Sequence, residues 1–423
     1  MTSRIIFYLV DGVSAVKVRS FNELDQQKFK TRTYFDEIYE EGHVFQYCYG
    51  YDTTQNSFYA IDSGQTLYET EISRSQKWRL DVKSSFFNKL KQVGYRLHFF
   101  SNNCSLNIAL PYSYFDKIKF RPYIYDLNDS DLDKKFFGLG ADKTVLFIHD
   151  LYTHDQRGEY VLGKFHLTHQ EYENLIKEQA VLLKKNLKFL KFNKKKDLLV
   201  VFSDHGLTVG TKITPKSAKF LLSRKRFDRW FYPGTEIKSR VMFIMVNSKI
   251  KPFINKNVCS LVDAFDHLAK FLGIKDYKSS EYQRFNFHRE AITANFGVYP
   301  RSIFSIIKKR IFNERFYQFV FVKGHKKFRE KWIYQLDLNK GVYFDLAKDP
   351  YEENPIEVKF SELPKKMKIY INKYQNSRPS WVKIALFKIS DFRAALKNKA
   401  LFKKAKKDYL KLLKQREQNS FNF

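Results

Sequence analysis

Five short apolar runs punctuate the first part of the chain, and each closes on a polar side chain. "RIIFYLV" leads into Asp11, "YRLHFFS" into Asn102, "TVLFIH" into Asp150, "LLVVFS" into Asp204 and "RVMFIMV" into Asn247. Between them lie stretches with helical spacing. Thr168 to Lys191 opens on the capping box Thr168-His169-Gln170-Glu171, and Phe86 to Val93 and Ser260 to Leu272 are shorter pieces of the same kind. Unbroken apolar strands separated by helices predict a mostly parallel sheet covered on both faces. In such sheets ligand sites form at the carboxyl ends of the strands, where this chain collects Asp and Asn.

Past about residue 300 the character changes to aromatic and basic strand-like pieces, "FYQFVFVKG" and "KWIYQLDL". The organisation expected is an α/β catalytic core over 1–300, a small α+β subregion over 301–380, and a basic helical tail over 381–423. No internal repeat is visible.

Composition narrows the classes. A chain of 423 residues with 43% apolar and 17% aromatic content can bury a large core, which excludes wholesale disorder. The three cysteines, Cys48, Cys104 and Cys259, lack a CxxC spacing, which argues against a cysteine zinc site and a disulfide framework, and for free thiols in a reducing compartment. The apolar run after Arg4 is too short for a signal peptide or a membrane span. A cytoplasmic location, peripheral to the inner membrane face, is the expectation. The net charge of +31 calls for an anionic partner. In Lys397 to Arg416 nine basic residues meet one acid, Asp408, and a partial apolar stripe runs through Ala400, Leu401, Ala405, Leu410, Leu412 and Leu413. This reads as an amphipathic helix for an anionic membrane surface, or as a solvated helix on its own domain. Nucleic acid ranks third, since no recognition motif accompanies the charge.

The candidate chemistry starts at "VVFSDHG". A carboxylate and an imidazole at the end of a buried strand are costly unless paired or coordinated, and adjacent Asp204 and His205 are a pair that a divalent metal can hold.

The order of motifs resembles the alkaline phosphatase superfamily, in its sulfatase-like branch. The strand ending in Asp11 resembles that family's first metal carboxylate. "YFDEIYEEGHVFQYCYGYDTTQNSFYAIDSG" is similar to the stretch leading to the nucleophile, and counting back from Gly64 puts Thr54 at that position. "FFNKLKQVGYRLHFFSN" looks like the next helix and strand, and "FIHDLYTHDQRGEY" like the segment with the substrate-facing histidine, His154. "SDHGLTVG" resembles the metal-binding Asp-His-Gly, and "VYFDLAKDPYEENPIE" the C-terminal motif. The resemblance spans roughly residues 4 to 355 and implies an alkaline phosphatase-like α/β fold.

The departures from that pattern bear on the chemistry. Sulfatases mature a cysteine or serine in a C/S-x-P-x-R context to an aldehyde hydrate, and Thr54 followed by Gln55, Asn56, Ser57 and Phe58 cannot do so. A threonine nucleophile resembles the superfamily's phosphodiesterases, lipid A phosphoethanolamine transferases and lipoteichoic acid synthases. Asp11, Asp204 and His205 would hold one ion with Thr54 as fourth ligand, an oxygen and nitrogen set suited to Zn²⁺ or Mn²⁺. Coordination lowers the hydroxyl pKa, so that Thr54 attacks phosphorus and a covalent phospho-threonine results. Asp150 and His154 would supply a second ion in two-metal members, or His154 and Asp150 would face substrate; Asn102 falls near a substrate-binding lysine of sulfatases. His325 is a further late-ligand candidate, whereas His149 reads as a packing or surface histidine.

The function expected is a metal-dependent phosphoryl or phospho-alcohol transferase or phosphodiesterase. Its donor would be a phosphodiester or nucleotide-activated alcohol and its acceptor a glycan or lipid-linked glycan. The alternatives are a sulfatase-like ester hydrolase and a non-catalytic membrane- or anionic-polymer-binding protein.

Overall fold

The computed structural model describes residues 3–22, 31–51, 54–65, 85–102, 115–121, 124–130, 132, 134–138, 143–153, 168–207, 235–296, 317–336 and 339–376. The proposed ligand His154 and the basic tail lie outside them.

Every apolar run becomes a strand. The order along the chain is β1 (Arg4–Val10), α1 (Tyr34–Glu41), β2 (His43–Tyr49), α2 (Thr54–Ser63), α3 (Phe86–Gln92), β3 (Arg96–Ser101), β4 (Lys117–Phe120), β5 (Thr144–Asp150), α4 (His169–Phe189) and β6 (Asp197–Phe202). There follow α5 (Glu236–Ser239), β7 (Arg240–Val241), β8 (Phe243–Val246), β9 (Phe253–Ser260), α6 (Leu261–Phe271) and α7 (Ser280–Phe285). The last elements are β10 (Glu290–Phe296), β11 (Tyr317–His325), β12 (Phe328–Gln335), β13 (Lys340–Asp345), β14 (Ile356–Val358) and α8 (Lys365–Asn376). The capping box expected at Thr168 and Glu171 does start α4.

The core sheet runs β9-β2-β8-β6-β1-β5-β3-β4, and all its neighbours pair in parallel except β8, which is antiparallel to both β2 and β6. The fold is therefore the expected α/β class with a mostly parallel central sheet flanked by helices. The reversal of β8 corrects one detail. It sends Asn247 to the opposite edge from the other strand-end residues, where its amide donates to the Asp197 carbonyl at 2.7 Å. A parallel pair needs a long crossover, and β6 and β8 do have a long connection, so length alone does not set direction.

Period-2 alternation divides the sheet side chains between two layers. Phe7, Leu9, Phe147 and Phe202 pack with Phe58 of α2, Phe86 and Phe87 of α3 and Phe265 of α6. Ile6, Tyr8, Val10, Leu146 and Val201 pack with Ile38 of α1 and Tyr172, Ile176 and Leu183 of α4. Phe7 sits between stacked Phe147 and Phe265, with centroids 5.9 and 6.0 Å away. Burying rings of this size contributes about 2–3 kcal/mol each, so the aromatic first layer is a main source of the core's stability.

β10 to β14 form an antiparallel group that joins the core sheet where β11 meets β9, at His325 and Asn257. Since β10 pairs with β11 along its whole length, this group starts before residue 301. Cys48 and Cys259, remote in sequence, are register partners across β2 and β9 and are both buried free thiols. Among the described residues no helix is long and apolar enough to cross a membrane.

Candidate metal and nucleophile site

Three carboxyl ends converge. β1 ends at Asp11, β6 is followed by Ser203, Asp204 and His205, and β2 leads into the start of α2 at Thr54. One ligand atom from each of Asp11, Asp204 and His205 lies within 4.8 Å of the others, and all three residues are buried. Thr54 Oγ1 is 3.1 Å from Asp11 Oδ2, to which it donates, and 3.3 Å from His205 Nε2. The sheet edge thus brings Asp11, Thr54, Asp204 and His205 to one point. Thr53, the alternative nucleophile, lies outside the described residues.

Local backbone explains why these residues can meet. Gly12 has φ +75°, a left-handed turn that lets the chain reverse directly after Asp11. Gly206 follows His205 in close contact with α5: a Cβ there would stand 1.9 Å from the Ile237 carbonyl oxygen, and its amide donates to the Lys238 carbonyl at 2.7 Å. Only hydrogen fits. One turn along α2 from Thr54, buried Ser57 donates to the Asp204 carbonyl at 2.9 Å and so fixes the helix start against the second ligand loop.

The donor set suits a divalent cation. His205 Nδ1 lies 3.1 Å from the Gly206 carbonyl oxygen, which can only accept, so Nδ1 carries the proton and Nε2 offers a lone pair. That Nε2 faces Asp204 Oδ2 at 3.4 Å and Asp11 Oδ1 at 3.6 Å. Asp204 Oδ2 makes no well-formed hydrogen bond among the described residues. Burial, and then the negative charge of Asp11, push the Asp204 carboxyl above its ordinary range, while His205, the Thr54 hydroxyl and His149 oppose the shift. Buried acceptors that face one another repel unless a cation neutralises them. The residues present therefore fit a metal, and two oxygens with one imidazole nitrogen match Zn²⁺ or Mn²⁺.

Two residues proposed from sequence do not join this point. Asp150 is buried, and its carboxylate accepts from Tyr8 Oη at 2.7 Å, Gln179 Nε2 at 2.7 Å, Asn102 Nδ2 at 3.0 Å and the Tyr152 amide at 3.1 Å. Asn102 spends its oxygen on the Leu151 amide at 2.8 Å. The physical reason is strand alternation: Asp150 shares the layer of Tyr8 and α4, whereas Asp11 shares the layer of His149. Asp150 at the end of β5 and Asn102 just after β3 thus bond to each other, apart from the cluster of Asp11, Thr54, Asp204 and His205. His325, at the β11–β12 turn, pairs with Asn257 and lies beside Phe328, outside the cluster.

Sequence reasoning missed His149. Its Nε2 donates to Asp11 Oδ2 at 2.8 Å, its Nδ1 is 3.3 Å from Ser101 Oγ, and the Phe58 ring meets it edge-on at 5.9 Å. A carboxylate demands a donor, so Nε2 carries the proton and Nδ1 accepts from Ser101. The available signal was its place one residue from the strand end.

No protein-family model and no curated protein sequence matches the chain. Solved structures do. A 4S-sulfatase of Bacteroides thetaiotaomicron, from a study of glycosaminoglycan metabolism, superposes with a TM-score of 0.55 at 12% identity over 88% of this chain and 94% of its own. A 2-O glycosaminoglycan sulfatase gives 0.54 at 14% identity, covering 93% of each chain. A protein in the alkaline phosphatase superfamily from Vibrio parahaemolyticus gives 0.51 at 14% identity over 89% of this chain and 88% of that one. Identity this low speaks to architecture alone: over 88–93% of its length the fold of this chain is similar to that of these sulfatases and of the alkaline phosphatase superfamily protein.

Proposed function

We propose that the chain is a metal-dependent enzyme that cleaves or transfers a phosphoester group through Thr54. The observation that carries this reading is the Thr54 hydroxyl in contact with Asp11 and His205 at the point where Asp204 also arrives. Asp11, Asp204 and His205 would hold a divalent ion with Thr54. When bound, such an ion lowers the pKa of the hydroxyl and neutralises charge building on the ester.

The chain's own groups do the rest. Asp11 Oδ2 accepts from Thr54 and orients its oxygen, and His149 holds Asp11 from behind. Thr54 stands at the start of α2, where the first-turn amides have no partner within the helix and favour an anionic ester. The Thr54 proton leaves toward Asp11 Oδ2, its hydrogen-bond acceptor, while attack forms an Oγ1–P bond and the bond from phosphorus to the leaving oxygen breaks. His154 is the proposed donor of a proton to that oxygen. Water or an acceptor hydroxyl then attacks phosphorus, and the P–Oγ bond breaks to restore Thr54.

The net charge of +31 favours an anionic donor, a phosphodiester or nucleotide-activated alcohol, with a glycan or lipid-linked glycan as acceptor. Sulfate esters are the second reading, because two of the fold's neighbours are sulfatases, and threonine's inability to form the aldehyde hydrate counts against it.

The test is turnover of bis(p-nitrophenyl) phosphate, p-nitrophenyl phosphate and p-nitrophenyl sulfate with Zn²⁺ or Mn²⁺ added, alongside intact mass after acid quench. The expected result is phosphodiester cleavage with a phospho adduct on Thr54, absent from Thr54→Ala. Sulfate turnover without phosphate-ester turnover would reverse the ranking, and activity retained in Thr54→Ala would remove the nucleophile.

A further inference from the structure

Two loops carry the proposed ligands, the turn after Asp11 and the turn after Asp204 and His205, and one side chain of a third element touches both. Tyr172 stands in the first turn of α4, buried in the sheet layer opposite α2. Its hydroxyl donates to the Gly12 carbonyl at 2.6 Å and accepts from the Ser14 amide at 2.8 Å. It also accepts from the Leu207 amide at 3.3 Å. One O–H and two lone pairs are thereby used across both loops, one residue past Asp11 and two past His205.

The loops also meet directly. A Cβ on Gly12 would stand 2.9 Å from Leu207 Cδ2, and the Gly12 amide points to Asp204 Oδ1 at 3.4 Å. Lys17 and Glu173 form an ion pair at 2.8 Å that ties the segment after the first turn to the same end of α4.

We infer that Tyr172 is a positioning residue whose hydroxyl sets the spacing between Asp11 and the Asp204-His205 pair, and so the metal affinity of the site. This rests on the proposed metal site. The Tyr172 hydroxyl acts through the backbone that carries the ligands. The physical argument is preorganisation: a metal gains most from ligands already held in place, and groups that orient ligands are worth about 10–100-fold in affinity. The capped start of α4 makes the tyrosine a rigid post, since Thr168 and Glu171 satisfy the helix's first amide groups.

The experiment measures Zn²⁺ and Mn²⁺ dissociation constants on the full chain, by competition with a chromogenic chelator, for wild type, Tyr172→Phe, Tyr8→Phe and Asp204→Asn. Tyr8 is the control. It is an equally buried tyrosine whose hydroxyl also bonds to α4, through Asn186 at 2.7 Å, but it reaches neither ligand loop. Tyr172→Phe is expected to weaken metal binding about 10–100-fold, while Tyr8→Phe stays within about twofold. Equal loss in both variants, or none in Tyr172→Phe, overturns the positioning role. Wild type that binds no better than Asp204→Asn overturns the metal site itself, a separate result. A second readout needs no variant: amide hydrogen exchange at Ser14 and Leu207 in wild type should slow together when Zn²⁺ is added. Exchange at either amide that ignores the metal also sinks the inference.

Discussion

The site's chemistry hangs on single atoms. Asp204→Asn keeps core volume and removes one of two buried carboxylates, Asp11 and Asp204, that both face His205 Nε2. Metal occupancy should fall sharply, while the metal-free protein should melt at an equal or higher temperature because a like-charge repulsion is relieved. Calorimetry and metal analysis on the same preparation check both halves, and lower stability with full occupancy would refute the assignment. His149 and Asp150 make the contrast at this scale. Adjacent in β5, they serve opposite layers, so His149→Ala should reduce turnover through Asp11. Asp150→Ala should act on stability, by about 3 kcal/mol or more, since it leaves Tyr8, Gln179 and Asn102 without their shared acceptor. Thermal melts and steady-state kinetics on the pair should separate the two roles.

Helix α2 links site and core. Its first residue is the proposed nucleophile, and near its end Asp62 accepts from Ser85 Oγ at 2.7 Å and the Phe87 amide at 3.2 Å, which caps α3. Burial raises the Asp62 carboxyl to about 6 from 3.8, against those hydrogen bonds. The folded state therefore holds a proton that the unfolded chain releases near pH 4. Its stability falls as pH rises from about 4 to 6, then levels off. The displacement corresponds to roughly 3 kcal/mol at most. Asp62→Asn should gain on wild type across that window, and denaturant unfolding at pH 4 and pH 7 measures the gain. A difference that does not change with pH would mean that Asp62 titrates normally.

At the scale of the molecule, a buried ionic cluster joins the C-terminal strands to the ligand loops. Glu236 of α5 accepts from Arg329 at 2.6 Å and from Tyr49 Oη at 2.9 Å, and Lys331 pairs with Glu352 at 2.8 Å. Glu352 accepts in turn from the Glu236 amide at 2.8 Å. Against the penalty of burial, Arg329, then Lys331 and Arg240, hold the Glu236 carboxyl down at about 2. Its contribution is present above pH 4.5 and is lost as pH falls toward 2. Because α5 also abuts Gly206, Arg329→Met should cost about 3–5 kcal/mol and loosen the metal site as well. Urea unfolding reads the first effect and metal titration the second. The basic stretch Lys397 to Arg416 lies outside the described residues, and the membrane reading stands or falls by vesicle sedimentation. Deleting the chain after Ser390 should abolish low-salt binding to anionic vesicles and spare turnover.

Much of this was legible in the order of residues. An apolar run of strand length, closed by Asp or Asn, reports burial and a sheet edge through local periodicity, and Asp11, Asp204 and His205 were singled out on such cues, whereas Thr54 came from the family resemblance, by counting back from Gly64. Those residues mark their own element's end, which is a local property. What only the tertiary structure decided was which ends and which faces coincide. His149 reaches Asp11 across 138 residues of sequence, Tyr172 reaches Gly12 across 160, and neither has a signature of its own. The layer occupied by Asp150 is likewise a matter of register, and the reversal of β8 one of strand direction. Register is set by long-range pairing and by the packing of whole faces, and a shift of one residue carries a side chain from the site to the opposite side of the sheet.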